Sequence, residues 1–89
     1  MKTSDKLHEA SKQITGASYE YPGYIHVEIN DTTSLHVGNA NGPIGYDFGD
    51  CTEELMRESH GEEIPVTSSI GEIVKFTELV LAKYTDHVE

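Results

Sequence analysis

Four residues whose side chains could do chemistry each lie between two apolar neighbours: His26, Glu28, His36 and Asp47. Imidazole and carboxylate groups bind metal ions or transfer protons when several of them converge on one point. Alternation of polar and apolar residues is typical of a β-strand with one buried and one solvated face. We therefore expect these four side chains on the solvated face of a sheet, where strand pairing decides which of them meet.

The predicted sheet has three antiparallel strands within residues 24–49, and apolar residues must oppose apolar residues in each pair. The predicted pairs are Ile29 with Leu35, Val27 with Val37, Val37 with Tyr46, and Leu35 with Phe48. The loop of the first hairpin would be residues 31–33. The second hairpin, which contains Asn41-Gly42, would have a loop closed by Asn39 and Ile44.

This register places Glu28, His36 and Asp47 in one row across the three strands, with opposed Cβ atoms roughly 5 Å apart. We interpret them as a solvated row of charges. The alternatives are a small-ligand or metal site that also uses His26, and general acid–base chemistry. No metal-ligand spacing favours a metal site. No substrate pocket is indicated that would favour general acid–base chemistry. We therefore predict a non-enzymatic protein with no catalytic residue, bound metal or cofactor.

Two helices flank this sheet, so the predicted fold is one small α+β domain over residues 1–89. The first helix is expected over residues 3–15. Its apolar stripe is thin, so it must dock on the sheet or on another chain. Thr3 or Ser4 would cap the helix, and Gly16 would end it.

The second helix has the stronger signal. It begins at a capping box formed by Ser69 and Glu72, and its apolar face packs on one face of the sheet. That face is wider than a three-stranded sheet requires, which indicates contact with the first helix, with a second copy in a homodimer, or with both. Residues 50–60, before this helix, are predicted as either a fourth edge strand or a short helix.

The net charge of −10 is concentrated in the middle of the chain, because residues 28–63 carry nine carboxylates against Arg57 alone. Such a surface disfavours direct binding to nucleic-acid phosphates or anionic membranes. It favours a protein partner with an electropositive groove, reached by charge complementarity. The acids predicted to bind that partner are Asp47, Asp50, Glu53, Glu54, Glu58, Glu62 and Glu63.

Three of the five tyrosines, Tyr19, Tyr21 and Tyr24, flank a turn at Pro22-Gly23. Tyrosine on a rigid turn is a good interface anchor, since it offers a large contact area at a low entropy cost. The alternative to charge-driven binding is therefore a protein-interaction or immunity-type subunit that binds through these tyrosines.

In size, acidity and lack of catalytic motifs, the chain resembles short phage-encoded proteins, including the anti-CRISPR class of host-defence inhibitors. Three segments within residues 21–47, YPGYI, GNANG and GYD, also resemble small phage proteins. This resemblance implies an inhibitor that acts in the host cytoplasm and binds a nucleic-acid-handling complex, with nucleic-acid mimicry as one route. No functional residue is carried over from it. The lone Cys51 and the lack of an apolar run of about 18 residues also favour a cytoplasmic location.

Overall fold

A four-stranded antiparallel sheet and two helices appear in the computed structural model, which describes residues 2–20, 23–29, 33–39, 42–49 and 62–84. The elements in chain order are α1 Thr3–Ser11, β1 Ala17–Glu20, β2 Tyr24–Glu28, β3 Ser34–Gly38, β4 Gly45–Gly49 and α2 Ile70–Tyr84. The strands form a meander in the order of the chain, with β1 and β4 at its edges. The predicted α+β fold, with one helix before the sheet and one after it, is confirmed.

The sequence does not predict the fourth strand, β1. Its residues Ala17 and Tyr19 pair with Val27 and Ile25 of β2. Four residues give too short an alternation to separate a strand from the tyrosine-rich turn that follows it. The alternative predictions for residues 50–60, a fourth edge strand or a short helix, lie outside the described residues.

The register of the β2–β3 hairpin differs from the prediction by two residues, so both predicted pairs of this hairpin are wrong. The observed pairs are Val27 with Leu35 and Ile25 with Val37. Ile29 lies in the connection, where its N–H donates to the carbonyl of Thr33 over 3.0 Å and its side chain still packs against the core. A shift of two keeps every side chain on its expected face, so the facing rule cannot detect it.

The β3–β4 hairpin has the predicted register. Its pairs include Val37 with Tyr46 and Leu35 with Phe48. The ladder ends at Gly38 and Gly45, so the predicted closure by Asn39 and Ile44 is wrong. Ile44 instead exchanges two backbone hydrogen bonds of 2.8 Å with Ile64. These bonds bring the segment before α2 beside the start of β4.

Helix α1 is shorter than predicted, because it ends at Ser11 rather than at residue 15. Ile14 stays buried in the turns that follow, so the helix need not continue in order to place it in the core. The N-cap is Lys2, whose side chain makes no capping bond. Capping by Thr3 or Ser4 is therefore also wrong.

Helix α2 begins at the predicted capping box. The N–H of Ser69 donates to Oε1 of Glu72 over 2.9 Å, and the N–H of Glu72 donates to Oγ of Ser69 over 3.2 Å. The backbone N–H of Ser69, followed by its hydroxyl, lowers the pKa of Glu72. Lys6 of α1 donates to the carbonyls of Val66 and Ser68 at 2.9 and 3.0 Å, which ties α1 to the turn before α2.

Both helices pack on the same face of the sheet, and the core lies between the two layers. Its buried residues are Leu7, Ala10, Ile14, Ile25, Val27, Leu35, Val37, Ile44, Ile73, Phe76 and Val80. α1 also contacts α2, which accounts for part of the wide apolar face of α2, while Leu79 of that helix remains 61% exposed. In the part of the chain that the structure describes, no helix is long and apolar enough to cross a membrane.

Candidate functional site

The face of the sheet opposite the helices, which we call the outer face, carries the polar residues that the sequence singles out. Its residues form three rows across the strands. The rows are Glu28, Ser34 and Gly49; Ser18, His26, His36 and Asp47; and Glu20, Tyr24, Gly38 and Gly45. Because α1 and α2 pack on the inner face, these rows form the solvent side of the sheet.

His36 lies opposite Asp47, as predicted, but its neighbour on β2 is His26 rather than Glu28. The two-residue shift of the first hairpin moves Glu28 to a position opposite Ser34. The predicted row of Glu28, His36 and Asp47 is therefore wrong, and a pair of histidines lies at its centre. Both histidines occupy solvent-facing positions in the alternation, which is the signal that could have pointed to this pair.

Three rings pack side by side on the outer face: Tyr24, His26 and His36, which we call the ring row. The ring centroids of Tyr24 and His36 are 4.9 Å apart with planes at 55°, and those of His26 and His36 are 5.0 Å apart with planes at 38°. The imidazole side chains are 24% exposed in His26 and 29% exposed in His36. The rings are thus held by one another while part of their surface faces solvent.

Two glycines leave room for the rings to lie close to the sheet. A Cβ atom at Gly38 would approach the Cβ of Tyr24 to 3.0 Å, and one at Gly49 would approach Cε1 of His36 to 3.1 Å. The hydroxyl of Ser34 would be 2.9 Å from a Cβ atom at Gly49, and it lies 3.3 Å from Nε2 of His36. The glycines therefore determine where the ring row can lie.

Carboxylates lie at the edges of the ring row. Nδ1 of His36 is 3.3 Å from Oδ1 of Asp47, and Nε2 of His26 is 4.0 Å from Oε1 of Glu28. The carboxylate side chains are 79% exposed in Asp47 and 81% exposed in Glu28. Glu63 is exposed as well, and its Cγ would be 3.6 Å from a Cβ atom at Gly45. These three acids are accessible to a partner.

Glu62 differs from them, because its carboxylate is bonded within the protein. Lys83 donates from Nζ to Oε1 of Glu62, and Tyr46 donates from its hydroxyl to Oε2. The bond from Lys83 has the larger effect and that from Tyr46 the next, and together they lower the pKa of Glu62 to about 2. These bonds connect β4, the segment of residues 62–64 and α2. Glu62 therefore stabilises the fold.

The other predicted binding residues are distributed over both faces of the sheet and beyond the described residues. Tyr24 belongs to the ring row, whereas Tyr19 faces inward and stacks on His8 with centroids 4.8 Å apart. The structure therefore places the two described tyrosines of this group on opposite faces. The predicted site residues that lie outside the described residues are Tyr21, Asp50, Glu53, Glu54 and Glu58.

The spacing of the histidines and acids on the outer face bears on the metal site that the sequence leaves as an alternative. Among the described residues, no three His, Cys, Asp or Glu side chains are placed to hold a metal ion. What the outer face can offer instead is a set of ring faces with carboxylate oxygens at their edges. Both features attract cationic groups.

Charge is divided between the two sides of the molecule. None of the strand residues 17–20, 24–28, 34–38 and 45–49 is a lysine or arginine. The described lysines lie in or beside the helices, as do acids that nearly balance their charge. The lysines are Lys2, Lys6, Lys12, Lys75 and Lys83, and the acids are Asp5, Glu9, Glu72 and Glu78. Among the described residues, the outer face is therefore anionic and the helix side is close to neutral.

Comparison with known proteins identifies no family for this fold. No protein-family model, no curated protein and no solved structure matches the chain. The physical features of the outer face therefore carry the functional inference.

Proposed function

We propose that this protein is a non-enzymatic acidic inhibitor that occupies an electropositive groove of a nucleic-acid-handling protein complex. The observation that carries the proposal is the division of charge. The outer face holds exposed Glu28, Asp47 and Glu63, and no lysine or arginine lies in the four strands. Carboxylates arranged on one side can take the place of phosphates in a basic groove, and charge attraction speeds their capture. Such a protein acts in the cytoplasm of a host cell, as the resemblance to anti-CRISPR inhibitors implies.

As part of this proposal, the acidic segment between β4 and α2 adds to the negative potential through its charge. β4 ends at Gly49, and the chain returns at Glu62, next to the Ile64 that pairs with Ile44. Both flanks of the segment therefore adjoin β4. The carboxylates between these flanks are Asp50, Glu53, Glu54 and Glu58. These carboxylates follow β4 directly in the sequence, and as part of the proposal they add to the negative potential of the outer face.

Affinity capture from bacterial cytoplasm tests the proposal. Captured complexes are challenged with duplex DNA, with RNA and with rising salt. We expect all three to release the partner, because nucleic acid competes for the groove and salt screens exposed charges over about 8 Å at physiological ionic strength. A captured partner that none of the three releases would contradict the proposal.

Two triple variants test whether binding depends on where the negative charge lies or only on the net charge. They are Glu28→Lys/Asp47→Lys/Glu63→Lys on the outer face and Asp5→Lys/Glu9→Lys/Glu78→Lys on the helices. Glu62 stays unchanged in both, because its carboxylate is bonded within the protein. We expect the outer-face variant to lose partner binding and the helix variant, with the same change in net charge, to retain it. Equal effects of the two variants would show that the outer face has no special role.

A second candidate is a protein-interaction or immunity-type subunit that binds through apolar contacts, with a homodimer as one form. Exposed apolar side chains favour it, since Leu79 is 61% exposed and Val66 is 37% exposed. Tyr24 on the outer face is also available to this mode, whereas Tyr19 is stacked on the inner side. Binding of this kind would be much less sensitive to salt, because apolar contacts involve no screened charges.

A further inference from the structure

We infer that the ring row and its carboxylates bind an arginine side chain of the partner. This inference rests on the proposed function, in which the partner presents a basic groove. It goes further by naming the group that is recognised and the residues that recognise it, Tyr24, His36 and Asp47 above all.

The rings favour arginine over lysine. A guanidinium group is planar and weakly hydrated, so it stacks on aromatic faces more readily than a compact ammonium group does. Tyr24 and His36 present such faces with centroids 4.9 Å apart, and His26 extends the row by a further 5.0 Å. Gly38 and Gly49 have no side chain that could stand between these rings and a partner.

The carboxylates favour a cation that can donate several hydrogen bonds. Oδ1 of Asp47 is 3.3 Å from Nδ1 of His36, so it lies at the edge of that ring. Guanidinium carries five N–H donors in its plane, so it can stack on a ring and donate to the carboxylate at the edge of that ring. Glu28 offers the same combination beside His26, at 4.0 Å.

Other occupants match only part of this arrangement. A nucleic-acid base would stack on the rings, but the carboxylates would repel its phosphate. A metal ion would find no set of three ligands among the described residues. Arginine matches both the rings and the charge, and the four strands contain no lysine or arginine that would compete with it.

Titration with hexaarginine and hexalysine peptides tests the inference, because both probes carry the same number of charged side chains. Calorimetry is performed on the full chain in low salt at pH 8, above the range in which imidazoles ordinarily take up a proton. We expect hexaarginine to bind about three- to fivefold more tightly than hexalysine, as for an exposed cation–π contact. The ring proton signals of His26 and His36 should shift with hexaarginine and stay in place with hexalysine.

Three single variants assign the preference to the site. Tyr24→Leu and Asp47→Asn should each bring the ratio of the two affinities close to one. Glu78→Gln, which removes an exposed acid from α2, should keep the ratio of the unmodified protein. If Tyr24→Leu fails to fold, Asp47→Asn and the ring signals of the unmodified protein decide the matter.

The outcomes separate the inference from the proposed function. Equal affinity for both peptides, unshifted ring signals, or a preference that survives Tyr24→Leu and Asp47→Asn would overturn the arginine site. Because a diffuse anionic surface binds both peptides equally, the first of these results would leave the proposed function standing. Binding of neither peptide would count against both.

Discussion

At the scale of single residues, Glu62 joins three parts of the fold, since Tyr46 in β4 and Lys83 in α2 both donate to its carboxylate. We expect Glu62→Gln to lower the free energy of unfolding by about 1 kcal/mol. Hydrogen bonds to charged groups contribute roughly 1.5–3 kcal/mol. Solvent screening reduces that figure here, because the side chain is 40% exposed.

Urea denaturation measures this effect, with Glu63→Gln as the matched control. Glu63 is exposed and lies next to Glu62 in the chain, so its replacement should change stability by less than about 0.5 kcal/mol. The same loss in both variants would show that the bonds from Tyr46 and Lys83 do not stabilise the protein.

The same carboxylate makes stability depend on pH. The pKa of Glu62 is about 2 in the folded protein and 4.5 ordinarily, so folding favours its ionised form. A lowered folded pKa contributes stability that is fully present above the ordinary value and is lost as the pH falls towards the folded value. The urea midpoint should therefore fall less between about pH 5 and about pH 2 in Glu62→Gln than in the unmodified protein. Parallel pH profiles would contradict this expectation.

At the scale of elements, the sequence predicts those parts of the fold that local signals determine. The capping box of Ser69 and Glu72 marks the start of α2, because both bonds join residues three apart. In the β3–β4 hairpin the turn dipeptide Asn41-Gly42 favours the register that opposes Val37 to Tyr46, and the structure shows that register. Each of these features is decided by neighbouring residues alone.

The β2–β3 hairpin shows why the remainder could not be predicted. Ile29 fits the core either from a strand or from the loop, so alternation allows two registers that differ by two residues. In the structure Ile29 packs against the core from the connection, and that core consists of residues far apart in the sequence. The composition of the candidate site depends on this choice, because it brings His26 rather than Glu28 beside His36.

Replacement by alanine should change stability in opposite directions at two glycines, one beside the ring row and one in α2. A Cβ atom at Gly38 would be 3.0 Å from the Cβ of Tyr24, and neither atom can rotate away. Gly38→Ala should therefore cost about 1–3 kcal/mol, as overpacking does. At Gly71, in the first turn of α2, the nearest atom is Oγ of Ser69 at 4.0 Å. Gly71→Ala should raise stability by about 0.4–1 kcal/mol.

Thermal and urea denaturation of the two glycine variants measure these changes. A neutral or stabilising Gly38→Ala would show that the ring row is not pressed against the sheet as described. The Gly71→Ala variant controls for the general effect of added side chains on the unfolded chain.

At the scale of the whole molecule, the two sides of the sheet differ in what they contribute. The inner side holds the helices and the core, and its described lysines and acids are in near balance. The outer side holds rings and carboxylates. Composition reveals the total charge of −10 but not which side carries it, since the side depends on the folded arrangement. The ring row, in turn, depends on the register of the β2–β3 hairpin, which composition does not determine.

Leu79 allows a test of self-association at this scale, because it is the most exposed of the large apolar residues described, at 61%. Stable interfaces bury about 800 Å² on each partner, far more than one leucine provides. We expect a monomer in analytical ultracentrifugation at micromolar concentration, and no change in Leu79→Lys. A dimer that Leu79→Lys dissociates would favour the interaction-subunit alternative instead.

The two hydrogen bonds between Ile44 and Ile64 fasten the chain before α2 to the start of β4. Gly49 ends β4 and Ile64 lies beside its start, so the two points that residues 50–61 connect are both set by one strand. Each doubling of a closed loop adds only about 0.6 kcal/mol of entropy cost. Because both anchoring points belong to one strand, evolution or an engineer could change the length or charge of the connection while the anchors are inherited unchanged.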